Sequence, residues 1–203
     1  MPSARVVLVW SGLTIAFAAP VALAATSPWL EWRDPVYIAA GFAGILALCL
    51  VLVQPLLAGG YLPGLPLMPS RRVHRWIGVA LVAMIVAHVG GLWMTSPPDA
   101  LDALLFRSPT PFSVWGVTAM WAAFAAAALA ALRARLHLRP RTWRIAHTLL
   151  VLVVAIGTVV HALLIEGTME PVSKAVLGLL ALAATARVIF DLRTWKLLVR
   201  RAQ

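Results

Sequence analysis

An all-α bundle of six membrane-spanning helices is the architecture this sequence predicts, and three observations predict it. Of the 203 residues, 62% are hydrophobic and 12% charged, and the mean hydropathy is +0.92. An ordinary soluble domain is about 45–50% apolar and about 25% charged. The apolar residues fall in six runs, each close to the ~20 residues that a helix needs to cross a bilayer. Lys and Arg gather on alternate sides of those runs. This composition excludes an ordinary water-soluble protein. It also excludes disorder, which needs low hydrophobicity and high charge.

The predicted spans are 6–25, 36–57, 73–94, 112–132, 143–165 and 173–190. The first follows Arg5. It competes with a second reading, because an apolar stretch ending in Ala22-Leu23-Ala24-Ala25 resembles a signal peptide with a small-residue cleavage site. Between the second and third spans, Gly59-Gly60-Tyr61-Leu62-Pro63-Gly64-Leu65-Pro66 reads as a loop. Pro97-Pro98, Pro109 and Pro111 bound the loop before the fourth span, and Pro171 opens the sixth. No soluble domain, long linker or internal repeat is visible, and residues 1–203 read as a single transmembrane domain without a flavin or nicotinamide module.

Orientation follows from the cations. With the N-terminus inside, the inner side holds Arg5, Arg71, Arg72, Arg75, Arg133, Arg135, Arg139, Arg141, Arg144, Arg187, Arg193, Lys196, Arg200 and Arg201. The outer side holds only Arg33, Arg107 and Lys174. A 14-to-3 bias sets both termini inside, in a bacterial-type inner (plasma) membrane. It also accounts for the net charge of +10 without nucleic acid. Six of the seven acids (Glu31, Asp34, Asp99, Asp102, Glu166, Glu170) fall outside. Trp29, Trp32, Trp93, Trp115, Trp143 and Trp195 lie near span ends, as an aromatic belt does. Cys49 is the only cysteine, which excludes an intrachain disulfide, a thiolate zinc cluster and an iron–sulfur centre.

The chemistry lies in the histidines. His74 and His88 are in the third span, His147 and His161 in the fifth, and both pairs are 14 residues apart. At ~100° per residue, 14 residues return to within ~40° of the same face, about 21 Å along the axis. Both spans run from inside to outside. His74 is therefore level with His147, and His88 with His161. Two facing imidazoles across a bundle suit axial ligation of haem iron, and two such pairs would form a transmembrane electron relay. Gly78, Gly90, Gly91, Ala87, Ala146, Gly157 and Ala162 are small enough to admit a macrocycle. Arg71, Arg72, Arg75, Arg141 and Arg144 flank the inner pair, which makes Arg72, Arg75 and Arg144 candidate propionate contacts.

Bland readings stand beside this one. A single membrane histidine is often just a hydrogen-bonding residue, and His74 or His147 at a helix end would also fit the headgroup region. Four histidines matched in spacing, direction and depth are harder to assign to packing. Zinc wants four clustered ligands, whereas these pairs are far apart in depth. A proton relay would want intramembrane carboxylates, and none falls within the spans. His137 reads as a solvated loop residue, and the basic loop around it as a topology signal or lipid-headgroup contact. The same loop would also suit docking of a flavoprotein. Asp99, Asp102, Glu166 and Glu170 read as solvated loop acids, with attraction of ferric iron as the functional alternative. A small non-haem transporter or scaffold remains the alternative of another class.

At Arg71-Arg72-Val73-His74-Arg75-Trp76-Ile77-Gly78, Ala87-His88, Arg141-Thr142-Trp143-Arg144-Ile145-Ala146-His147 and Val160-His161-Ala162 the chain resembles the ferric reductase-like transmembrane domain family. The family takes in ferric reductases, NADPH oxidases and the haem-binding subunit of the periplasmic methionine-sulfoxide reductase system (MsrQ). The resemblance covers about residues 40–190. It implies b-type haems between the third and fifth spans, with His74 paired to His147 and His88 to His161. It also implies electron flow from a cytoplasmic flavin or nicotinamide module to an outer acceptor, ferric iron or a periplasmic protein. Because the sequence ends at Gln203, the expectation is the membrane component of an oxidoreductase that does not oxidise NAD(P)H alone. Its donor would be a separate flavoprotein, a quinol or a free flavin. The MsrQ-like members have fewer histidines in the third span, so His74 points to the two-haem pattern.

Overall fold

The computed structural model describes residues 3–192. Of the residues read above, Arg193, Trp195, Lys196, Arg200 and Arg201 lie outside that range. The described chain is helical throughout: α1 (Ala4–Ala25), α2 (Pro35–Gly59), α3 (Leu67–Thr95), α4 (Pro97–Leu104), α5 (Pro111–Leu132), α6 (Pro140–Leu164) and α7 (Pro171–Asp191), with a 3-10 turn at Pro28–Leu30. All but α4 are long and apolar enough to cross a membrane, which gives the six spans expected.

Start signals explain the boundaries. α2, α4, α5, α6 and α7 all begin on proline, whose fixed φ and missing N–H suit the first helical turn. The Asp34 carboxylate accepts from the Val36 and Tyr37 N–H groups at 2.7 and 3.4 Å. Glu170 accepts from Val172 and Ser173 at 2.8 and 2.6 Å. Both satisfy donors that a helix start leaves open.

Two expectations need correction. α3 starts at Leu67 rather than Val73, because the polar turn through Ser70, Arg71 and Arg72 continues the helix beyond the apolar stretch that hydropathy detects. The segment after Pro97-Pro98 is the eight-residue helix α4, not a loop. Ser96 stands at its N-cap, and the Ser96 hydroxyl donates to Asp99 in the first turn at 2.5 Å. That polar start, with proline at the first position, is enough to begin a turn of helix.

α2 is the central post. Leu48, Cys49 and Leu52 of α2 pack with Leu81 of α3, Ala122 and Ala123 of α5, Val154 of α6, and Leu177 and Ala181 of α7. Water drives none of this in a bilayer, so close approach of small residues carries the packing. α1 is peripheral and buries only Pro20 and Ala24. Polar ties lie at the helix ends. The Tyr61 hydroxyl donates to Asp191 at 2.6 Å, and Arg187 pairs with the same carboxylate at 2.9 Å. Partial burial and the Asp191 charge hold the Tyr61 hydroxyl above its usual range. Lys174 is 7% exposed, and its ammonium donates to the Ile165 carbonyl at the C-terminus of α6 at 2.6 Å.

Two outcomes are expected. Lys174→Met removes a charged hydrogen bond of the kind that contributes about 1.5–3 kcal/mol, so thermal unfolding in detergent should shift down. An unchanged midpoint would mean that water satisfies the Ile165 carbonyl instead. The backbone N–H groups of Ser173 and Val172 hold the Glu170 carboxyl below its usual range. Its stabilising contribution is therefore full above the unfolded-state pKa and fades as pH falls through the folded value. The difference in stability between wild type and Glu170→Gln should shrink on acidification, read by thermal scans across the acid range.

Candidate functional site

All four span histidines lie on α3 and α6, the third and fifth spans, and each ring is half-buried. His88 and His161 face each other with ring centres 6.4 Å apart and ring planes at 78°. Each Nδ1 is held by a neighbouring helix, His88 by the Ala40 carbonyl of α2 at 2.8 Å and His161 by the Phe112 carbonyl of α5 at 2.8 Å. Phe112 also stands edge-on to His161, with ring centres 5.9 Å apart. At the arginine-rich end, His74 Nδ1 bonds the Gln54 carbonyl at 3.1 Å. His147 lies within electrostatic reach of His74 and near Ala126. Its Nδ1 closes no hydrogen bond.

A carbonyl only accepts, so His74, His88 and His161 must each carry the proton on Nδ1. Their Nε2 atoms are then bare and available to a metal. An imidazole nitrogen binds a first-row metal at about 2.0 Å, and the ring centre lies about 1.1 Å further on, so two imidazoles on opposite sides of one metal have centres about 6.2 Å apart. The 6.4 Å between His88 and His161 matches that spacing. Among the described residues no three His, Cys, Asp or Glu side chains converge on one point. A metal on the imidazole pair therefore needs its remaining ligands from elsewhere, as a porphyrin provides. The donor set fits haem.

Two glycines seat the facing rings. A Cβ on Gly44 of α2 would stand 2.9 Å from His88 Nδ1, and one on Gly116 of α5 would stand 2.6 Å from His161 Nδ1. Neither glycine was singled out in the sequence. Nothing in α2 or α5 alone says which residue a histidine of the next helix will meet. Of the small residues that were singled out, Gly91 and Gly157 serve helix crossings, against Ala40 and Ala119, and Gly90 faces open space.

These contacts reveal a repeat that the sequence hides. Ala40 and Phe112, Gly44 and Gly116, and Gln54 and Ala126 are each 72 residues apart, while His74 and His147, and His88 and His161, are 73 apart. The helix pair α2–α3 and the pair α5–α6 thus repeat one design. It escaped detection because the acceptor groups are backbone carbonyls, which leave no trace in residue identity.

The arginines are less concentrated on the histidines than expected. Arg144 donates to the Leu192 carbonyl at 2.9 Å. Arg72 and Arg75 are exposed on the first turns of α3. The Arg133 guanidinium sits 4.4 Å above the Trp143 ring, and Trp143 stacks on His147 at 5.2 Å with 9° between the planes. Trp143 therefore covers one ring face of His147, in addition to lying near a span end. His137 is exposed in the α5–α6 turn at φ 47°.

No curated protein and no solved structure matches this chain. The family described as ferric reductase like transmembrane component matches residues 40–158, a stretch that takes in His74, His88 and His147 and ends short of His161. That match covers more than half of the 203 residues, so the chain belongs to the ferric reductase-like transmembrane family, a multi-pass membrane protein with a redox role.

Proposed function

We propose that this chain is the electron conduit of a ferric-reductase-type oxidoreductase and holds two b-type haems, one between His88 and His161 and one between His74 and His147. The observation that carries the reading is the 6.4 Å spacing of two imidazoles whose Nδ1 atoms are both tied to carbonyls. When bound, a bis-histidine haem supplies one-electron exchange between ferric and ferrous iron and offers no open position for oxygen chemistry. The protein's part is orientation. The Ala40, Phe112 and Gln54 carbonyls fix the tautomer and the rotation of their histidines. α3 and α6 hold the two pairs at different depths, about 21 Å apart along the helix axes.

The positive-inside rule puts the arginine-rich end in the cytoplasm, in a bacterial-type inner membrane. Arg71, Arg72, Arg75, Arg133, Arg135 and Arg139 lie at that end, where Asp191 is the one acidic residue and is already paired with Arg187. Such a field steers an anionic donor, a flavoprotein with its own flavin, while a quinol would arrive from the lipid. Arg72, Arg75 and Arg144 are the cations for the inner propionates. The acceptor, ferric iron or a periplasmic protein, would meet the opposite face, where Asp99, Asp102, Glu166 and Glu170 lie.

One observation favours a second reading, an MsrQ-like subunit with one haem that feeds a periplasmic reductase. The inner pair is the less complete one, with the His147 Nδ1 bond unclosed and Trp143 over the His147 ring.

The test is a dithionite-reduced absorbance spectrum of the purified protein, with haem quantified per chain. About two haems are expected, as bis-histidine ligation by both pairs requires, with His74→Ala losing one and His161→Ala the other. About one haem that survives His74→Ala but not His161→Ala would establish the second reading. A protein that stays colourless after haem reconstitution, or both variants keeping full haem, would overturn the conduit.

A further inference from the structure

We infer that Gly44 and Gly116 are a matched pair of positioning residues that hold the His88 and His161 rings close to perpendicular across the metal between them. The inference rests on the haem reading of that pair. In an α-helix the carbonyl of residue i points toward residue i+4. A donor from another helix reaches that carbonyl only if the side chain at i+4 leaves room. At the outer pair the acceptors are Ala40 and Phe112, and the residues four further on are Gly44 and Gly116. Both bonds close at 2.8 Å.

The repeat supplies an internal comparison. At the inner pair the corresponding residues are Gln54 and Ala126, and four further on stand Ala58 and Ala130. There the His74 bond lengthens to 3.1 Å, and His147 Nδ1 closes none. Beside the glycines both bonds close at 2.8 Å; beside the alanines the His74 bond is longer, at 3.1 Å, and His147 lies near the Ala126 carbonyl without a closed Nδ1 bond. A methyl on Gly44 would crowd the His88 ring at Nδ1 and Cε1, at 2.9 and 3.0 Å. One on Gly116 would crowd the same atoms of His161 at 2.6 and 2.7 Å. The atoms crowded belong to a ring held at Nδ1, so its plane must turn. The seats thus set the 78° between the ring planes.

That angle has a spectroscopic signature. Imidazole planes at right angles act equally on the two iron d-orbitals of π symmetry and leave them nearly degenerate. Low-spin ferric iron then gives a highly anisotropic signal dominated by one large g value. Parallel planes split those orbitals and give three resolved rhombic lines. The experiment is low-temperature electron paramagnetic resonance of the oxidised, haem-loaded full chain, with haem quantified on the same samples. Gly41→Ala, also in α2 but facing open space, controls for a helix glycine as such.

Wild type and Gly41→Ala should show the large-g signal. Gly44→Ala and Gly116→Ala should each shift it toward the rhombic form and weaken retention of that haem by about 10–100-fold, the usual cost of losing a group that orients a metal ligand. A haem at the inner pair, unchanged in the same spectra, would report that these variants fold. The wild-type spectrum tests the angle without any variant. Wild type that carries haem but lacks the large-g signal, or glycine variants that match wild type, would overturn the seating while leaving the conduit standing. Wild type without haem would overturn both.

Discussion

The structure turns on one kind of contact, the hydrogen bond from a histidine Nδ1–H on one helix to a backbone carbonyl on the next. In hydrocarbon no water is available to satisfy an imidazole, so leaving its second nitrogen without a partner inside the protein is costly. A helix carbonyl already accepts its own i+4 N–H but keeps a second lone pair. Using that lone pair draws the two helices together at one point and stops the ring from turning. α2 is joined in this way to α3 through Ala40 and Gln54, and α5 to α6 through Phe112. The same bond decides which nitrogen stays bare, and so which atom a metal can meet.

Much else in the bundle follows from placing those contacts. Gly91 against Ala40 and Gly157 against Ala119 keep the helices of each pair close beside the histidines. α2 fills the middle with Leu48, Cys49 and Leu52, against Leu81 of α3 and Val154 of α6. α7 closes one side through Leu177 and Ala181, and Lys174 secures the end of α6 one turn beyond His161. α1 touches little of this, and its exposed apolar surface faces where lipid would be.

The sequence carried what depends on periodicity and bulk hydropathy. Six spans were legible because a bilayer imposes a length on them, and the equal 14-residue spacing of the histidines was legible because a helix has a fixed pitch. What depends on the register between helices was not. Gly44 and Gly116 look like any glycine in a membrane helix until a histidine from a neighbour is seen against them. The repeat is carried by Ala40 and Phe112, two residues with nothing in common but a carbonyl. Lys174 reads as an outer-side cation at the start of the sixth span and turns out to be a buried cap, because hydropathy does not register a carbonyl waiting nine residues upstream. α4 was missed because Pro97-Pro98 ends one helix and begins another with equal ease.

The repeat is not a perfect copy, and the imperfection gives the relay a direction on the haem reading. A carbonyl bonded to Nδ1–H makes the imidazole a stronger donor to iron, which favours the ferric state. The outer pair has two such bonds at 2.8 Å, whereas the inner pair has one at 3.1 Å and one left open. The cations clustered at the inner end act in the same sense, because nearby positive charge favours the ferrous form. With haem at both pairs, both effects would hold an electron more firmly at the inner site than at the outer one.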